Sequence, residues 1–260
     1  MGRGYELCGQ LTLDLQNFDY AFQGICLGKQ FEAMGYSFKT LLSQIDCSSR
    51  AIHLQELKIS DSSGILKIPQ LICAYEEDDW HLSIPRIAMN EIRPSLLQEI
   101  GKPLGPIQPL VVRDMRIHDF ALNFSDPRAC KASGELCFIN SFKRGHSVFD
   151  FPADILGRIF GLDLELLIPV KGDVTFAIQD GKVILTELSN SFSEGERSQF
   201  FLAEKRGELP FMDLSGELSI HIKMKQFVLF KFTENFILSN TGNLHDPLVG
   251  LKRISSFFSS

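Results

Sequence analysis

The sequence predicts a mainly β protein: a long, twisted, mostly antiparallel sheet with two short helices. Three observations carry that prediction. From residue 218 the chain alternates without a break. Leu218, Ile220, Ile222 and Met224 point one way, while Glu217, Ser219, His221, Lys223 and Lys225 point the other. A period of two is a strand with one apolar and one wet face. A Gly-x-[Leu/Val]-x-apolar form recurs from Gly9, Gly64, Gly134, Gly172 and Gly216, with a truncated copy at Gly242. Its intervals of 55, 70, 38, 44 and 26 residues are too irregular for a solenoid rung. They suit a sheet that lengthens by hairpins of varied size. Each glycine is expected to open a strand by permitting a positive φ or a tight bend. Asp180-Gly181, between two alternating runs, is a two-residue hairpin turn.

In chain order, residues 4–15 form the first strand. Residues 18–46 form two or three more, broken at Gly24, Gly28 and Gly35. Residues 50–60 alternate through Ile52, Leu54, Leu57 and Ile59 with a phase slip after Leu54, which predicts a β-bulge. Asp61–Gly64 is a turn, residues 65–75 a strand, Glu76–Asp79 a second turn and residues 80–89 its partner strand. Pro69 and Pro85 cannot donate to a ladder, so those strands are expected at an edge or locally irregular. Residues 91–101 and 152–160 read as the two helices, each with a proline in its first turn. Between the helices come strands 111–124 and 134–139. From residue 164 onward the reading is nearly all strand: 164–170, 172–179, 182–188, 198–204, 213–224, 226–233 and 236–241. The Pro/Gly-rich segment 101–106 marks a boundary near residue 104. It divides the chain into a β segment over 1–103, ending in the first helix, and a second β segment over 104–260, or one sheet running through both.

Bulk composition narrows the function classes. The 260 residues suffice for one large β domain or two ordinary ones, and 22% charged against 44% apolar residues is a folded composition. A net charge of −6 argues against nucleic acid, which calls for a basic stripe. The 22 Phe serve either a compact core or a lipid-facing groove. No run of 18 uncharged apolar residues spans a bilayer as a helix. The chain opens almost directly into a strand, as a piece of a longer protein would. Six cysteines lack Cys-x-x-Cys spacing, which excludes a zinc knuckle. Cys26, Cys73 and Cys137 read as small buried hydrophobes, and Cys130 with Cys137 as a candidate bridge in an oxidising compartment.

Catalytic and metal signatures are missing from the sequence. There is no Gly-x-Ser-x-Gly elbow, Walker loop or Gly-x-Gly-x-x-Gly. The six histidines are isolated and read as residues on the wet faces of strands. Glu76–Asp79 has calcium-type ligands without calcium-loop spacing. Lys223, Lys225, Lys231, Lys252 and Arg253 form a modest basic zone, read as a solvated strand face or as a contact for anionic headgroups. The sequence therefore predicts no enzyme, no metal and no cofactor.

Three stretches stand out in the C-terminal half: residues 168–188, paired strands about a central Asp180-Gly181 turn; Asp213-Leu-Ser-Gly-Glu-Leu-Ser-Ile220; and Thr241-Gly-Asn-Leu-His-Asp-Pro-Leu-Val-Gly-Leu251. In these the chain resembles the AsmA/TamB-like proteins of bacterial envelopes. The last departs from the family's closing Gly-Thr-Leu-x-x-Pro pattern, since Thr241 precedes the glycine and Asn243 follows it. The likeness covers residues 110–251. It implies a sheet curved into an open groove whose apolar concave face carries phospholipid or other acyl lipid. It also implies a periplasmic or envelope location, membership of a longer membrane-anchored chain, and envelope or outer-membrane assembly proteins as partners. The residues expected to face lipid are Val174, Phe176, Ile178, Leu218, Ile220, Ile222 and Met224. The competing expectation is a structural or protein-interaction β module in which the same faces close on a core.

Overall fold

The computed structural model describes residues 4–17, 19–33, 36–61, 64–92, 110–140, 169–227, 233–243 and 246–254. Fifteen strands lie in these segments: β1 (Gly4–Asp14), β2 (Asp19–Ala33), β3 (Tyr36–Ser48), β4 (Ala51–Ser60), β5 (Ile65–Glu76), β6 (Asp79–Ile92), β7 (Leu110–Asn123), β8 (Lys131–Asn140), β9 (Lys171–Gln179), β10 (Lys182–Phe192), β11 (Ser198–Leu202), β12 (Phe211–Asp213), β13 (Glu217–Phe227), β14 (Thr233–Asn243) and β15 (Asp246–Ile254). All belong to one antiparallel sheet, and each strand pairs with its predecessor. The only departure is one shared slot between β10 and β13. There β11 fills one end and β12 the other. Residues 203–210, with the small Lys205–Glu208 hairpin, leave the sheet between them. Both predicted helices and the boundary near 104 fall wholly or mostly outside the described residues. The helical turns that are described are two single 3₁₀ turns, Pro127–Ala129 and Glu194–Glu196. β6 pairs with β7 from His81↔Asn123 to Ile92↔Val112, so one sheet runs through from the first half to the second.

The turns follow their local chemistry. Asp180 and Gly181 both take positive φ (52° and 68°), as do Glu77 and Asp78 (50° and 67°). That geometry matches the twist of the flanking strands. The phase slip in β4 is a bulge: Glu56 sits at φ 52°, and the β3–β4 register shifts beside it. The same device recurs at other pairs of consecutive polar residues. Asp119 in β7 and Asn190 in β10 also take positive φ next to register shifts. Each extra residue returns the residue that follows it to the apolar face. Pro69 and Pro85 lie on internal strands. The β5–β6 ladder is interrupted between Lys67↔Ala88 and Ile72↔Ser83, and both prolines sit in that gap.

The glycine repeat has a different role from the expected one. Gly216 does take positive φ (82°) ahead of β13, and Gly64 follows the Asp61 turn. Gly9 and Gly134, however, lie inside their strands at ordinary φ, and Gly172 is the second residue of β9. Each is overlaid by a phenylalanine ring of its own face. A Cβ on Gly134 would come 2.5 Å from Phe176 Cζ, and on Gly172, 2.8 Å from Phe138 Cε1; on Gly9 it would meet backbone first, 2.1 Å from the Gln23 carbonyl oxygen, and Phe22 Cζ at 2.8 Å. At Gly134 and Gly172 the missing side chain is the seat for the ring, and the ring covers backbone that glycine would leave bare. The sequence stretch 213–224 is also not one strand. Asp213 Oδ1 accepts the N–H groups of Ser215 (2.9 Å) and Glu217 (2.8 Å), closing a turn between β12 and β13. β15 was not anticipated, because Pro247 and Gly250 interrupt its sequence.

Adding a methyl at Gly134 should therefore displace the Phe176 ring. Gly134→Ala is expected to cost about 1–3 kcal/mol in urea unfolding. Combined with Phe176→Leu, the two losses should fall short of additivity by roughly 0.5 kcal/mol or more.

Candidate functional site: an uninterrupted apolar face

The register assigns every described side chain of β1–β13 to one of two faces. On the apolar face three rows cross the sheet. One runs Leu11–Phe22–Cys47–Ile52–Cys73–Leu82–Leu122, from β1 to β7. A second runs Leu41–Ile59–Leu66–Met89–Met115–Leu136–Val174–Leu188, from β3 to β10. The third links Ile87–Ile117–Gly134–Phe176–Leu185 and continues the Leu57–Ile68 pair. No charged side chain stands in any row. Leu57, Ile68, Ile84, Ile87, Ile117, Ala132 and Phe176 form the buried centre. Their neighbours Leu54, Leu71, Met115, Ile178 and Val183 remain half-buried. No second sheet covers this face among the described residues. Side chains from adjacent strands shield one another, which is what inward curvature of one face produces; the bulges supply that bending.

All seven residues expected to face lipid lie on this face. Val174, Phe176 and Ile178 pair with Leu136, Gly134 and Ala132 of β8. Leu218 follows Met212, itself opposite Val183, and Ile222 and Met224 oppose Leu202 and Phe200. They differ in accessibility. Leu218 (3% exposed), Met224 (2%) and Phe176 (6%) are already covered by protein, whereas Val174, Ile178, Ile220 and Ile222 keep part of their surface. The larger open area lies toward β1. Residues there went unsingled in the sequence, although Leu7, Leu11 and Leu13 alternate as cleanly as β13 does.

The opposite face is polar and largely self-satisfied. Arg116 bridges Asp114 (2.9 Å) and Glu135 (3.1 Å), and Asn190 donates to Asp173 (2.7 Å). Beside them a shallow cavity of about 350 Å³ is lined by Asp114, Arg116, Glu135, Cys137, Asp173 and Ser189, among others. Cys137 lies on this polar face, not among apolar neighbours as expected. Burial, then the Asp173 carboxylate, pushes its thiol pKa up. That holds it protonated, the reverse of an activated thiolate. All six cysteines are free. Cys130 and Cys137 lie seven residues apart on extended chain, ~3.3 Å per residue, so a bridge between them is out of reach. Phe192 and Phe211, on the polar face, are capped by Lys171 (5.2 Å) and Lys182 (4.4 Å). Among the described residues no cluster of three or more His, Cys, Asp or Glu could hold a metal ion.

His221 departs from the expected solvated position: it is on the polar face but only 5% exposed. Its ring nitrogens meet Ser219 Oγ (3.2 Å) and Ser239 Oγ (3.0 Å), and the Ala203 N–H donates to its carbonyl (2.9 Å). The 203–210 excursion, which local sequence did not reveal, begins beside His221 at that Ala203 bond.

Burial first, and the Lys205 charge second, lower the imidazole pKa below its ordinary 6.5. The unfolded chain therefore binds the proton more readily than the folded one. The stability tied to neutral His221 is complete above about pH 6.5 and is lost as pH falls through that value toward the folded pKa. Urea midpoints should drop between about pH 7 and pH 5, and His221→Gln should flatten that part of the profile. Compared with known proteins, the chain matches no family profile, no curated protein and no solved structure.

Proposed function

We propose that this chain is a non-catalytic β-groove that carries acyl lipid on its apolar face, working in lipid transfer between membranes or in outer-membrane assembly. The observation that carries this reading is a set of three apolar rows that together reach from β1 to β10, with no charged side chain in them and no second sheet over them among the described residues. Each methylene removed from water contributes ~0.8 kcal/mol, so acyl chains would be held without any specific polar contact. The resemblance of residues 110–251 to AsmA/TamB-like proteins supports a bacterial periplasmic or envelope setting, within a longer membrane-anchored chain. It also supports envelope or outer-membrane assembly proteins as partners. A polar face whose charges pair with one another, with Cys137 held as a thiol, suits a passive role.

A structural β module with a closed core is the competing reading. The near-complete burial of Leu218, Met224 and Phe200 favours it at the β11–β13 end. Toward β1 the same face is uncovered, which favours lipid there.

Lipids extracted from the chain purified without detergent should contain diacyl phospholipid by mass spectrometry. Leu54 and Leu71 are directly opposed and half-buried on the apolar face. Leu54→Lys with Leu71→Lys should cut bound lipid about tenfold or more, while Gln55→Lys on the polar face should leave it unchanged. A folded wild-type chain that carries no lipid, even after incubation with phospholipid vesicles, would sink the proposal.

A further inference from the structure

Every residue of β1 is exposed, and its outer edge pairs with no other described strand. Soluble proteins guard such edges with lysine, proline, bulges or short length. β1 has none of these. It runs 11 residues, Gly4–Asp14, without Lys, Arg or Pro, and all its pairs with β2 keep one register from Gly4↔Lys29 to Asp14↔Asp19. Tyr5, Leu7, Leu11 and Leu13 stand 57–60% exposed on its apolar side.

The sequence of this strand is self-complementary. Apolar positions 5, 7, 11 and 13 are symmetric about Gly9. We propose that β1 is a docking edge for a second copy of this chain, the two β1 strands pairing antiparallel about Gly9. That register sets Leu7 against Leu11 and Tyr5 against Leu13 of the second copy. On the polar side it sets Glu6 against Thr12 and Cys8 against Gln10. No like charges meet. A slip of one residue opposes apolar to polar positions throughout. The symmetric register centred on Gln10 opposes Glu6 to Asp14 of the second copy, a like-charge pair. The symmetric register centred on Cys8 meets face and charge too but sets Leu7 against Gly9. Gly9 is therefore the centre that gives all four apolar side chains an apolar partner. The interface is isologous and closes as a dimer. The dyad of an antiparallel pair stands perpendicular to the sheet, so both apolar faces come to the same side and the groove is extended across the junction. The interface does not depend on whether that face carries lipid.

Sedimentation velocity on the full chain should show a species of twice the 29.3 kDa chain mass. Leu11→Lys should weaken it about tenfold or more in Kd. In a Cys8→Ser background, Tyr5→Cys with Leu13→Cys should give a disulfide-linked dimer on mild oxidation, and either single variant should not. A wild-type chain that stays monomeric at every concentration overturns the proposal. So does Leu11→Lys that stays folded and dimerises as before, or linking by a single variant as efficient as by the pair. If Leu11→Lys fails to fold, the cysteine pair decides alone.

Discussion

The structure depends on holding apolar side chains in phase across a sheet too wide and too twisted for strict alternation. A strand's side chains change face at every residue, so one extra residue would turn the rest of the strand inside out. The chain inserts that extra residue where two polar residues stand together: Gln55-Glu56, His118-Asp119 and Ser189-Asn190. At each site the second residue takes positive φ and the residue after it, Leu57, Phe120 or Ser191, returns to the apolar face. The bulges keep Leu57, Ile117 and Phe120 in the same rows as their neighbours while bending the sheet around them. Because each strand pairs with its predecessor, no long crossover has to form, and the sheet grows hairpin by hairpin.

Much of this was legible in the sequence because bulges and hairpin turns are local. The slip between Leu54 and Leu57 and the Asp180-Gly181 turn both follow from a few adjacent residues. The expected positive φ accounts for the glycine repeat at Gly216 and Gly242 but not at Gly9, Gly134 or Gly172. A ring from a neighbouring strand lies over each of these three, and only the register reveals which ring. Long-range cover was likewise hidden. The alternation of β13 shows His221 on the polar face, but nothing nearby indicates that it is buried there. Cys137 was misread for a similar reason. Its apolar flanks suggested burial, yet its cross-strand partners are Asp114 and Asp173. The seven residues expected to face lipid share one face of the sheet because face follows from period. Their accessibility depends on neighbours from other strands and was not readable.

The two faces divide the physical roles. The polar face satisfies its own charges through pairs such as Arg116 with Asp114 and Glu135, which contribute little stability in water but keep that side wet. The apolar face is filled by its own side chains at the centre and toward β13, and stands progressively open toward β1. On our reading, acyl chains occupy the open part and a second copy extends it at the β1 edge.

Photocrosslinking with a phospholipid that carries a reactive group in its acyl chain tests the central claim most directly, with the labelled residues mapped by mass spectrometry. The account predicts labels on Ile52, Leu54, Ile59, Leu66 and Leu71, with a period of two that skips one step at Gln55-Glu56 and none on His53, Gln55 or Lys58. Labels spread over both faces, or absent from a folded chain, would contradict it.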